Sequence, residues 1–286
     1  MKIIKYLIQF IIICVFYVIF KIIGVKLSSF LSGKLFEIIG PIFRSKKIVN
    51  NNIKKAFPDY NSKELNKIKS SMWNNYGRVF AEYIFIKEFR FGKLSQNIRI
   101  EGQEILEQIK KENNQVIFVS AHFSNFELMA MAIEKAGVNL SAVYRPLNNK
   151  MVNSIMEPLR KKYICKNQIK KGINGVRESL INFKQGVSVA IMIDQRVSEG
   201  EKINFFSYPA YTTTIPAQFA KKFGCKIQPV HIERYDKINF KITFDKPIVI
   251  EENDNNASIS LKLNQWLENK IRKNPSQWIW THNRWK

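Results

Sequence analysis

A chain of 286 residues, 45% apolar and 13% aromatic, can bury a sizeable core, which excludes wholesale disorder. Its formal charge of +23, from 46 Lys and Arg against 23 Asp and Glu, implies an anionic partner: phospholipid headgroups, a phosphorylated substrate, an acidic protein or nucleic acid. Cys14, Cys165 and Cys225 are widely spaced and join no Cys/His cluster, which argues against a disulfide framework or a metal site and fits a reducing, cytoplasmic setting.

The N-terminal stretch 3–23 is apolar at all but Lys5, Gln9 and Lys21. About 20 helical residues suffice to cross a hydrocarbon core, so this segment qualifies as a membrane anchor, with a buried helix of a soluble protein as the alternative. No small-x-small cleavage site follows, and the chain runs on apolar and basic through KIIGVKLSSFLSGKLFEIIG, so a retained anchor is expected rather than a signal peptide. Lys21, Lys26, Lys34, Arg44, Lys46 and Lys47 outnumber Lys2 and Lys5, which by the positive-inside rule puts the body of the chain in the cytoplasm at an anionic inner membrane. The next segment, 25–39, is expected to lie along the interface. Residues 1–40 are thus an anchor region and 41–286 a catalytic or binding domain.

After Pro41 the pattern is that of a globular protein. Asn61-x-x-Glu64 is a capping box opening a helix to about residue 86. From residue 98 strands and helices alternate. Strands are predicted in 97–102, 115–121, 139–145, 186–194, 226–234 and 237–246, and helices over 124–136, 149–162, 174–184, 215–223 and 258–273. Continuous apolar strands separated by helices predict an α/β domain with a largely parallel or mixed sheet flanked by helices.

The stretch VSAHFSNFELMAMA, residues 119–132, carries the chemistry. His122 ends a buried strand, and Ser124-Asn125-Phe126-Glu127 reads as a capping box with Ser124 as N-cap and Glu127 at N3. His122 then lies before the helix, within reach of Glu127 in the first turn. Two readings fit: a satisfied loop histidine beside a capping carboxylate, or a His–carboxylate dyad in which the imidazole accepts a proton and the carboxylate fixes its tautomer. No nucleophilic Ser or Cys sits in an elbow motif, so a dyad would activate a hydroxyl of the substrate itself.

H-x4-E after a buried strand resembles the H-x4-D/E motif of the glycerolipid acyltransferase superfamily, and more of the chain resembles the late acyltransferases of lipid A biosynthesis. FPDYNSKE (57–64) with Glu82, YRPLNNK (144–150), MIDQR (192–196) with Phe205, Phe206 and Thr213, and PSQWIWTHNRWK (275–286) are similar to that family's blocks, in order. The resemblance implies a glycerol-3-phosphate acyltransferase-like fold with one N-terminal anchor helix. It also implies transfer of an acyl chain from acyl-acyl carrier protein to a hydroxyl of a phosphorylated, Kdo-bearing lipid A precursor; separately, the lack of any ligand cluster in the sequence leads us to expect no metal or other cofactor. It assigns His122 and Glu127 to catalysis and Arg145, Asn148, Lys150, Asp194, Gln195 and Arg196 to substrate binding. An acyltransferase for another glycolipid or a lysophospholipid is the nearest rival.

The residues themselves leave room beside these assignments. Arg145 follows a strand and suits a phosphate or a transition-state charge, or an ordinary surface ion pair. Asp194 and Gln195 also follow a strand, where they would meet sugar hydroxyls or cap a turn. Arg196 suits phosphate or an exposed ion pair. In the tail, His282 and Arg284 interleave with Trp278, Trp280 and Trp285, which reads as core packing or a headgroup anchor; His231 reads as structural. Residues 145–177 hold nine basic residues and one acid, a surface suited to the acidic carrier protein or to acceptor phosphates. A membrane-anchored basic binding protein is the alternative of another class. No RNP, zinc-finger or helix-turn-helix signature supports nucleic acid as its partner.

Overall fold

The computed structural model describes residues 2–286; the side chain of Lys2, part of the expected basic start, lies outside the described residues. Five helices come first: α1 (Lys2–Ile23), α2 (Val25–Phe43), α3 (Lys46–Ala56), α4 (Ser62–Glu82) and α5 (Ile86–Phe91). Alternation follows, with β1 (Ile98–Glu101), α6 (Gln103–Glu112), β2 (Ile117–Ser120), α7 (Glu127–Lys135), β3 (Leu140–Tyr144), α8 (Lys150–Tyr163), β4 (Asn167–Lys170), α9 (Ile173–Lys184) and β5 (Ser188–Met192). A hairpin of β6 (Glu201–Phe205) and β7 (Tyr208–Thr212) leads to α10 (Ile215–Phe223), β8 (Ile227–Asp236), β9 (Asn239–Phe244) and α11 (Asn256–Lys273).

Seven strands form one sheet in the order β1-β9-β8-β2-β5-β3-β4. Every neighbouring pair is parallel except the β8–β9 hairpin, so the predicted largely parallel or mixed sheet is what forms. β2 lies in the interior and is buried at all four positions, as its unbroken apolar run requires of a strand covered on both faces. Ser120 pairs with Met192 across β2 and β5, so the two chains leave the sheet side by side and deliver His122 and Asp194 to the same edge.

The expected capping box at Asn61 and Glu64 forms, with both reciprocal hydrogen bonds. The one expected at Ser124 and Glu127 does not. Ser124 adopts φ +42°, its amide donates to Gln277 O at 2.9 Å, and its hydroxyl is buried without a partner among the described residues. A left-handed residue cannot take the extended N-cap conformation, and α7 begins only at Glu127. The cause is long-range: Phe123 bridges to Trp278, drawing the loop toward the C-terminal tail.

α2 and α4 approach closely because small residues line their contact. Ser28, Ser29, Ser32, Gly33 and Gly40 are the buried positions of α2, and Ser32 Oγ donates to Gly77 O at 2.7 Å. A Cβ on Gly77 would meet Ser32 O at 2.2 Å, a backbone atom that cannot step aside. Gly77→Ala is therefore expected to lower stability by about 1–3 kcal/mol, the usual cost of overpacking, read as a fall in the unfolding midpoint in detergent.

α1 is joined to α2 at Gly24, whose φ of +79° suits glycine. One side of α1 rests on the body, where Phe16 and Phe20 meet the Phe80 ring, and the opposite side is exposed and apolar. In the tail, Trp278, Trp280 and Arg284 are buried, and the Arg284 guanidinium donates to Tyr211 O and Thr212 Oγ1. Packing is thus the reading that the tail supports.

Candidate active site

Asp194 is the hub of the site. It is 1% exposed, and its carboxylate accepts three hydrogen bonds: from His122 Nδ1 at 2.8 Å, from the His122 amide at 2.9 Å and from Trp278 Nε1 at 3.0 Å. Burial by itself opposes ionisation, but the His122 charge and these donors outweigh it and hold the Asp194 carboxyl below its ordinary value. An ionised carboxylate only accepts, so His122 Nδ1 carries the proton and Nε2 offers its lone pair when the ring is neutral.

Burial likewise works against the charged form of His122, yet Asp194 prevails and Glu127 adds to it, so the imidazole sits above its ordinary pKa. Phe126 packs edge-on against the ring, with centroids 4.8 Å apart. Nδ1 faces Asp194, and Nε2 has no hydrogen-bond partner among the described residues. The ring lines a small cleft together with Asn75, Tyr76 and Val79 of α4, Phe126, and Gln277 and Trp278 of the tail. A hydroxyl entering this cleft would find a basic nitrogen whose other side is already fixed.

Glu127 occupies a different environment from the one its spacing suggests. It is buried at the start of α7, and its carboxylate is held by the Arg160 guanidinium of α8, with Nε at 2.9 Å. Among the described residues its hydrogen-bond partner is Arg160, while His122 is oriented by Asp194. The expected contact between His122 and Glu127 is therefore replaced by two separate pairs. The reason is topological: the end of β5 abuts the end of β2, whereas Glu127 points toward α8.

The remaining sequence-derived candidates lie outside this pair of side chains. Arg145 is exposed directly after β3 and forms no ion pair among the described residues. Lys171, directly after β4, feels Arg145 and Asp194, and its ammonium is pushed down first by partial burial and then by Arg145. Arg196 donates its amide to His282 Nε2 at 2.9 Å and its Nε to Lys286 O at 3.1 Å, so it is tied to the tail. Gln195 is half-buried beside it. Asn148 and Lys150 are exposed and flank Asn149, which caps α8 and donates to Tyr6 O of α1 at 2.9 Å.

His282 and His231 are both pushed down to about 4 by burial, which suits neutral structural imidazoles. Sequence reasoning missed Tyr76 and Lys171 as neighbours of the site. It also missed that Trp278 bonds Asp194; its place in the tail block was the available signal.

A second buried cluster supports the His122 loop. Glu82 at the end of α4 is fully buried and accepts from Ser29 Oγ at 2.8 Å, from Asn125 Nδ2 at 3.2 Å and from both terminal nitrogens of Arg234. Asn125 belongs to the loop carrying His122, so this carboxylate ties the loop to α2, α4 and β8.

The whole chain, residues 1–286, matches the model of a family described as bacterial lipid A biosynthesis acyltransferase. It is similar to the lipid A biosynthesis palmitoleoyltransferase of Escherichia coli K12, 21% identical over 247 residues that cover 85% of this chain and 79% of that protein. A lipid A biosynthesis acyltransferase of Haemophilus influenzae is 22% identical over 259 residues, covering 89% and 81%. The lipid A biosynthesis myristoyltransferase of E. coli K12 is 19% identical over 255 residues, covering 87% and 76%.

Proposed function

The chain belongs to the bacterial lipid A biosynthesis acyltransferase family, and on that premise we propose that it moves a fatty acyl chain from acyl-acyl carrier protein to a hydroxyl of a Kdo-bearing, phosphorylated lipid A precursor. The observation that carries this reading is His122, fixed through Nδ1 by a buried carboxylate and free at Nε2 in a cleft.

In the proposed reaction Nε2 removes the proton of the acceptor hydroxyl as its oxygen attacks the thioester carbonyl. Asp194 stabilises the imidazolium that results. The new C–O ester bond forms as the C–S bond breaks, and the proton passes from His122 to the departing thiolate. Glu127 raises the basicity of His122 from a distance, while its bond to Arg160 holds α7 against α8. Arg145 and Lys171, the residues directly after β3 and β4, are assigned to acceptor phosphate. Gln195, Asn148 and Lys150 are assigned to the acceptor's periphery, and Arg196 to holding the tail.

The protein works at the cytoplasmic face of the inner membrane, with residues 1–40 holding it there and residues 41–286 forming the catalytic domain. Mass spectrometry of lipids from cells lacking and then regaining the protein tests the assignment. One acyl chain gained by the lipid A precursor is expected; an acyl chain gained by a phospholipid instead rejects the acceptor.

Lys161, Lys162 and Lys170 are exposed on α8 and β4 and are assigned to encounter with the acidic donor. Replacing all three by Gln is expected to raise KM and flatten its salt dependence with little change in kcat, because charge steering acts before the chemical step. An unchanged KM and salt slope would make this stretch a merely solvated face.

A further inference from the structure

The geometry points to α1 lying along the surface of an anionic phospholipid leaflet, seated on the catalytic body, rather than crossing the bilayer. The inference is independent of which reaction the body performs. Both ends of α1 contact the same body. Near its start, Asn149 Nδ2 donates to Tyr6 O at 2.9 Å and approaches Gln9 Oε1 at 3.4 Å. Near its end, Phe20 is buried against Phe80 and the Lys21 ammonium lies 4.9 Å from the Phe85 ring.

Tyr6 and Lys21 stand fifteen residues apart, about 22 Å along a helix, which is most of a hydrocarbon core. A crossing α1 would therefore carry Asn149, with the exposed Asn148 and Lys150 beside it, deep into hydrocarbon whenever Lys21 stayed at the interface. An α1 parallel to the membrane meets no such conflict. Gln9, the polar interruption within the apolar segment, then has a role on the protein side, at Asn149.

The other side of α1 is left uncovered by the described residues. Ile4, Leu7, Ile8, Ile11, Val15 and Val18 are between 45% and 64% exposed and recur at helical spacing along the helix. Beyond Gly24, α2 also leaves Leu27, Phe30, Leu31, Ile38 and Ile42 exposed while its small residues face α4. Lys5, Lys21, Lys26, Arg44, Lys46 and Lys47 are all exposed around these residues. An apolar strip edged with lysine and arginine matches acyl chains beneath anionic headgroups, and the body takes the place of the polar face that a free interfacial helix would need.

The test uses the full-length protein in membranes, with Cys14→Ser and Cys225→Ser and the fully buried Cys165 kept. Lys5→Cys and, separately, Lys47→Cys are exposed to a membrane-impermeant maleimide in intact spheroplasts and in inverted vesicles. Both are expected to react only in inverted vesicles; a Lys5→Cys that reacts from outside overturns the inference. A second variant, Tyr6→Cys with Asn149→Cys, is expected to be joined in membranes by a short bis-maleimide, and absence of that link also overturns it. A covalent dimer through Val15→Cys would assign the exposed face to a second copy of the chain and would likewise overturn it. None of these readouts depends on acyl transfer, so a failed reaction assignment leaves them interpretable.

Discussion

His122→Ala is expected to lower kcat by about 10² or more, the usual worth of a positioned general base. Asp194→Asn is expected to cost about 10²–10⁴, because an amide at this point both removes the charge that stabilises imidazolium and disturbs the tautomer. The pH profile separates these effects from simple damage. The working form of His122 is neutral, so kcat/KM rises with pH through its pKa, which Asp194 holds above the ordinary value. In Asp194→Asn the lowering effect of burial remains while the raising effect of the carboxylate is gone, so the acid limb moves to lower pH. Glu127→Gln should move the limb the same way but less, since its charge acts on His122 from farther off. Should Glu127→Gln cost as much in kcat and shift the limb as far as Asp194→Asn, the orienting role would return to Glu127.

The largest effect on stability is expected at Arg234. Its guanidinium closes a fork on Glu82 in a site where the two side chains are 9% and 0% exposed. Arg234→Ala leaves a buried carboxylate with only Ser29 and Asn125 as donors, and the expected loss is about 3–5 kcal/mol. The double variant Glu82→Leu with Arg234→Met should regain much of that loss, because two apolar groups leave no charge unpaired. Denaturant unfolding of both variants in detergent measures the difference. The double variant also frees Asn125, so a fall in kcat larger than the fall in stability would show how far this cluster positions His122.

Much of the fold was legible because its strands are buried and its helices are punctuated. The apolar run of 115–121 became β2, and Pro216 with Gly224 marked α10 at both ends. Other elements lacked such signals. α3 reads KKIVNNNIKKA, whose asparagines weaken helix propensity, and it is held by contacts such as Asn52 to Trp280 O, far away in sequence. β4 is a polar edge strand inside a basic run. The β6–β7 hairpin turns on Phe206 and Ser207, both at positive φ, where an Asn-Gly pair would have announced it. α6 shows an amphipathic pattern that was legible yet overlooked.

The site divides in the same way. His122 and Asp194 could each be placed at a strand end from sequence alone, but which carboxylate serves the histidine depends on strand order, and strand order is not local. Two strands and three helices separate β5 from β2 in the chain, yet the two strands lie side by side in the sheet. Spacing within one segment favoured Glu127; adjacency of two strands delivers Asp194.

The indole of Trp278 donates to the same carboxylate that holds His122, across a gap of 84 positions in the chain. Phe123 and Ser124 are likewise pinned by Trp278 and Gln277. A ribosome still making residues 275–285 therefore carries a chain whose sheet can be in place while Asp194 still lacks its indole donor. α1 precedes the body in the chain, so on the membrane seat proposed above it could meet lipid while the body is still being translated, since domains fold during synthesis from the N-terminal side. On the proposed function, a nascent chain would then reach the bilayer before its site is complete, and translation order would separate targeting from the onset of catalysis.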